Sequence, residues 1–160
     1  MDSSADAAKN RDRSPPQDTE LDDLLQELRI LLQGVQVLTA FLVLLPFNQG
    51  FAKINGWQHW LYISTFLCSL LGLILFSAPA VHHRLTRPLL NRVSFKNFAT
   101  RMTVIGLIPS SFALVCATQL VIAAVIGDLS ALPFTLLVAL CIAGIWWLLP
   151  LAHKHTPSGW

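Results

Sequence analysis

Charge is scarce in this chain, and acid is almost absent from most of it. Charged residues make up 12% of the 160 positions, whereas a soluble domain, whose surface must face water, carries about 25%. Eight of the nine acids lie in the first 29 residues, from Asp2 to Glu27, and the ninth is Asp128. Residues 1–29 hold four basic and eight acidic groups, net −4, and the rest holds seven basic groups and one acid, net +6. The overall +2 therefore joins two different objects. Cysteine is sparse as well. Cys68, Cys116 and Cys141 stand inside apolar runs without CxxC or Cys/His spacing, so neither a disulfide framework nor a zinc site is expected. Missing too are a Ser/His/Asp set, an HExxH motif, a P-loop and a Gly-rich phosphate cradle. Neither an enzyme nor a bound cofactor is expected.

Apolar residues are what the chain does have, at 54% of positions with a mean hydropathy of +0.57. Residues 1–18 are polar, with Pro15-Pro16 and charges of both signs. Such a segment buries too little apolar surface to offset its ordering entropy, so a disordered tail is expected. No apolar stretch closely follows a basic start, so the opening does not resemble a secretory signal. Order is expected from Thr19 to Leu151. Asp18 or Thr19 can cap a helix, and Leu21, Leu24, Leu25, Leu28, Leu31, Leu32 and Val35 recur at a helical period. This amphipathic lead-in runs into a first span, 30–47, that ends near Pro46. Further spans are expected at 57–80, 102–127 and 131–151, with a short tail over 152–160. At about 1.5 Å per residue, even the shortest reaches roughly 27 Å, enough for a hydrocarbon core of about 30 Å. Four such stretches in 160 residues leave no polar layer to cover them. The expected fold is all-α, a four-helix transmembrane bundle.

Orientation follows from the cations. Lys9, Arg11, Arg13, Arg29, Arg84, Arg87, Arg92, Lys96, Arg101 and Lys154 fall on one side of the membrane in this arrangement, and only Lys53 on the other. The positive-inside rule places that basic side, with both termini, in the cytoplasm of a plasma membrane. Trp57, Trp60 and Tyr62 form an aromatic belt at the outer boundary, with Trp146 and Trp147 at the inner one. Gly127-Asp128-Leu129-Ser130, with Pro133 opening the next helix, suits a short external turn.

Three groups of residues are candidates for function. Asp22, Gln26, Arg29, Gln33 and Gln36 step by four, three, four and three, and so share one helical face. Gln33 and Gln36 fall at membrane depth, where an unsatisfied amide costs several kcal/mol. The stripe should therefore face other helices, with Gln119 and Thr118 on the third span, or Ser110 and Ser111, as partners. It serves either as interhelical glue or as a polar path for a solute. The second group is the basic loop 81–101, where Arg87, Arg92 and Lys96 suit an interfacial helix on anionic headgroups. The third is an inner-face cluster, in which Glu27 and Arg29 can pair with His83, Arg84 or Arg101. His82, His83, His153 and His155 lie on the same face, but no carboxylate or thiolate joins them in a metal-ligand pattern. Small residues repeat every four positions at Ser64/Cys68/Gly72, Gly106/Ser110, Ala113/Ala117 and Ala139/Ala143, which lets helix backbones approach closely. Pro109 removes a backbone bond inside the third span.

No Asp, Glu, Lys or Arg lies at predicted mid-membrane depth. Ion-coupled carriers keep an ionisable group there, so a carboxylate-driven antiporter is disfavoured. The stretch Glu27-Leu-Arg-Ile-Leu-Leu-Gln-Gly-Val-Gln36, followed by Phe41, Pro46-Phe47 and Phe51, resembles the opening signature of a bacterial family of small four-span membrane proteins. Ser77-Ala-Pro-Ala-Val-His-His-Arg84, then Arg101 and Gly106, is similar to its second block. The resemblance covers roughly residues 20–150 and implies a domain of unknown function, with no catalytic or ligand residues to transfer. The leading expectation is a non-enzymatic accessory bundle contacting lipids, a second copy or a larger membrane complex, and not nucleic acid. A small transporter or channel component using Gln33, Gln36 and Gln119 is the alternative.

Overall fold

The computed structural model describes the backbone of residues 16–51, 54–85 and 92–149, and their side chains apart from 16–22, 83, 85 and 92–94. The tails, 1–15 and 150–160, together with Lys53 and Arg87, lie outside the described residues. Four helices carry the described chain: α1 (Pro16–Leu44), α2 (Gly56–Leu85), α3 (Arg92–Ile126) and α4 (Asp128–Ile142). All four include a stretch long and apolar enough to cross a membrane, namely Asp23–Phe47, Gly56–His82, Phe95–Ile126 and Asp128–Leu148.

Helix boundaries follow backbone chemistry. Pro16 opens α1, where its missing N–H would have no partner anyway. Pro46 sits in a single 3₁₀ turn, Leu45–Phe47, that ends the span. α3 and α4 are joined through Gly127 alone, at φ 91° and ψ 160°. That backbone region is essentially restricted to glycine. The expected four-residue turn is therefore one residue long, with Asp128, Leu129 and Ser130 already in α4. Asp128 stands in the first helical turn, where the macrodipole favours an acid. Beyond Ile142 the helix widens to a π-type turn, Ala143–Leu148, closed by Leu149 N–H to the Gly144 carbonyl. Pro150 follows in sequence and has no N–H for the carbonyl four residues back.

Loop 81–101 departs from its expected form. α2 continues to Leu85 and α3 already begins at Arg92, so 92–101 are the first turns of a membrane helix and form no separate interfacial one. Nothing between Val93 and Arg101 breaks the helical period, and burial of Phe95 and Ala99 against the bundle holds those turns in place. His82 lies 4.8 Å from Phe98 and 5.9 Å from Phe95, ring centre to ring centre.

Packing is densest between α2 and α3. Gly72 and Gly106 mark the crossing. A Cβ on Gly106 would lie 2.7 Å from the Phe76 ring, and one on Gly72 would collide with Ser110 Oγ. Of the small-residue repeat on these two helices, Gly72, Gly106 and Ser110 stand at the close approach, whereas Ser64 is exposed. α1 leans mainly on α2, along Leu28, Val35 and Leu42, and only lightly on α3. α4 packs on α3, and among the described residues α1 and α4 do not meet. The bundle is therefore open along one side. Only 11% of the apolar window of α1 and 6% of that of α4 is buried, against 28% for α3. The two outer helices face the surroundings over most of their girth, and Trp57 and Trp60 at the start of α2 are exposed as well.

Candidate functional site

Polar side chains collect at the two ends of the bundle. At the end holding the Asn48–Gly56 connection and Gly127, three helices are tied by hydrogen bonds. Gln58 Nε2 on α2 donates to Asp128 Oδ1 on α4 at 2.6 Å, and Gln58 Oε1 accepts from the Asn55 backbone N–H at 2.9 Å. Gln119 on α3 donates from Nε2 to the Asp128 carbonyl at 3.3 Å and accepts from Thr135 Oγ1 at 2.6 Å. Gln58 and Gln119 are both buried. Tyr62 Oη donates to the Leu42 carbonyl at 3.0 Å, fastening α1 to α2, and its ring meets Phe51 edge-on at 4.9 Å. Beside this network lies a cavity of ≈ 620 Å³, bordered by Asn48, Asn55, Gln58, Tyr62 and Asp128 among apolar residues. Every one of these side-chain bonds except the Asn55 contact joins two elements, so the network acts as a clamp.

Gln58 and Asp128 were not among the sequence candidates. One signal pointed to them: Asp128 is the sole acid after Glu27, and a carboxylate at the rim of an apolar span requires a donor. What no spacing rule supplies is which donor, because Gln58 comes from a helix 70 positions earlier.

The glutamine stripe is divided. Gln119 belongs to the clamp, whereas Gln33 and Gln36 are exposed and form no hydrogen bond among the described residues. Ser110 and Ser111 bond to the carbonyls of Gly106 and Leu107 on their own helix, and Thr118 to that of Leu114. The expectation that Gln33 and Gln36 face the bundle is therefore corrected. The reason lies in α1 itself. Leu28, Val35 and Leu42 recur every seven residues and make the buried seam, and the glutamines fall off that line. Nearer mid-span, Thr39 Oγ1 lies 2.5 Å from Ser69 Oγ and donates to the Val35 carbonyl, so the polar contact across α1 and α2 is made by hydroxyls.

At the opposite, basic end, Glu27, Arg29, Arg84 and Arg101 are all exposed, and none of them forms an ion pair among the described residues. The expected tie between Glu27 and the arginines is absent among those residues; the side chain of His83 lies outside them. Arg29 and Arg84 instead share one groove between α1 and α2, of ≈ 630 Å³. Arg101 and Lys96 border a different, shallower hollow on α3. Arg87 and the side chain of Arg92, expected at headgroups with Lys96, lie outside the described residues, as do His153 and His155. Among the described residues no group of three His, Cys, Asp or Glu side chains converges as a metal site would need.

No curated protein and no solved structure matches this chain. Residues 11–150 match a family of unknown function, DUF6328, which spans the whole four-helix region, and the chain belongs to that family.

Proposed function

We propose that this membrane protein is non-enzymatic and works through contacts of its helices with other helices or with lipid, as a homo-oligomer or as a subunit of a larger complex. The basic end faces the cytoplasm of a bacterial plasma membrane in this reading, as the distribution of lysine and arginine favours. One observation carries the proposal. Gln33 and Gln36 sit on the exposed face of α1, within the Asp23–Phe47 span, without a hydrogen-bond partner among the described residues. An amide left unsatisfied in hydrocarbon costs several kcal/mol. A neighbouring helix presenting an amide or hydroxyl relieves that cost, and two copies of the same helix do so reciprocally, because an amide both donates and accepts.

Self-association in lipid vesicles, followed by energy transfer between labelled copies at rising protein density, tests this. The wild type associates, and the Q33L/Q36L chain does so about tenfold more weakly, as expected for two interhelical bonds of about 0.6–1 kcal/mol each. A wild type that stays monomeric and captures no partner in mild detergent overturns the proposal. The alternative is a small transporter or channel component using Gln33, Gln36 and Gln119, assembled from several copies. Gln119 is held by Thr135 and Asp128, and solute flux abolished by Q36L would favour that reading.

A further inference from the structure

The groove that holds Arg29 and Arg84 has a graded lining. The two guanidiniums come from α1 and α2, and Leu25, Leu28, Leu32 and Phe76 line its wall. Leu28 and Phe76 are only 5% and 2% exposed and belong to the bundle's hydrophobic core, so that wall is firmly placed. Because the helices run antiparallel, Leu32 lies about one turn deeper than Arg29, and Phe76 about two turns deeper than Arg84. Inward of the two arginines the lining is therefore apolar, while Leu25 lies about one turn nearer the helix end than Arg29. Two cations on one cavity repel each other, yet neither has an anionic partner among the described residues, and Glu27 is not in the lining. The level of the groove matters as well. Arg29 lies near the start of the apolar stretch Asp23–Phe47 and is its last charged residue, the run from Ile30 to Phe47 carrying none. Arg84 lies two positions beyond His82, the last residue of the apolar stretch of α2. Both guanidiniums thus stand where a bilayer's hydrocarbon gives way to its phosphates.

We propose that this groove is a binding site for an anionic phospholipid, with the headgroup phosphate held between Arg29 and Arg84 and an acyl chain lying along Leu32 and Phe76. Guanidinium forks match phosphate oxygens in geometry and in charge. A free phosphate would use the same two arginines but would leave the apolar wall without a partner. The inference deepens the lipid-contact part of the proposed function and is independent of the Gln36 contact.

The full chain, reconstituted in nanodiscs of mixed phosphatidylglycerol and phosphatidylcholine and then extracted in mild detergent, tests it through the lipid that native mass spectrometry finds retained. The wild type retains phosphatidylglycerol in preference, and millimolar inorganic phosphate does not displace it. R29Q/R84Q lowers that preference by about thirtyfold, at about 1 kcal/mol for each basic residue near the surface. R101Q removes one charge from the same end, against two in R29Q/R84Q, and leaves the preference unchanged. A80F fills the groove, since Ala80 also lines it, and lowers retention with every charge in place. Helical circular dichroism and unchanged self-association identify variants that are folded. Equal retention of the two lipids by the wild type overturns the site, as does a loss in R101Q as large as in R29Q/R84Q. Displacement by inorganic phosphate overturns the lipid assignment. If lipid preference is absent while the wild type still self-associates, the groove fails and the proposed function stands.

Discussion

Glycine shows at the residue scale how position decides cost. A Cβ on Gly34 would meet nothing within 4 Å, whereas one on Gly106 would face the Phe76 ring at 2.7 Å and the Leu75 Cβ at 3.2 Å. The same substitution at the two sites should therefore behave oppositely. Gly106→Ala is expected to lose about 1–3 kcal/mol through forced separation of α2 and α3. Gly34→Ala should be neutral or gain up to about 1 kcal/mol, because alanine is the better helix former. Reversible unfolding in mixed micelles, followed by circular dichroism, checks both, and equal effects would contradict the described crossing. Gly127 is costly for another reason. Space is open around it, but its φ of 91° excludes a side chain, so Gly127→Ala should cost about 1–3 kcal/mol in the same assay.

Elements in lipid gain nothing from burying apolar surface against one another, because the tails are as apolar as leucine. Close backbone approach and hydrogen bonds must hold them together. α2 and α3 use the first, at Gly72 and Gly106, and α3 and α4 add the second through Gln119 and Thr135. A double-mutant cycle of Q119L and T135V should report a coupling of about 0.6–1.7 kcal/mol. A coupling indistinguishable from zero would remove the clamp as a source of stability. Gln119 also shows the limit of periodicity. Its polar character at membrane depth was legible in the sequence, but its partners were not, since Thr135 and Asp128 lie across a hairpin whose length depends on the one-residue turn at Gly127.

On the scale of the whole molecule, the arrangement is a row in which α1 and α4 do not meet among the described residues and both face outward. An open row leaves two helix faces to lipid or to partners, and the Gln33/Gln36 face is the polar one. The proposed orientation makes a further prediction. In a chain whose cysteines are replaced by alanine, Asn55→Cys should react with a membrane-impermeant maleimide on intact cells, and Asn97→Cys only after lysis. The reverse pattern would invert the protein in the membrane.

Composition and period alone determined that the protein is helical, that it has four apolar spans, and roughly where each one lies. A 20-residue apolar run without charge has one stable form in hydrocarbon, so local sequence is sufficient. Tertiary structure alone decided which face of α1 is buried, that Arg29 and Arg84 border one groove, and that Gln58 reaches Asp128. Polar residues on a helix need partners, and a partner is a matter of distance between helices, which no spacing along one helix contains.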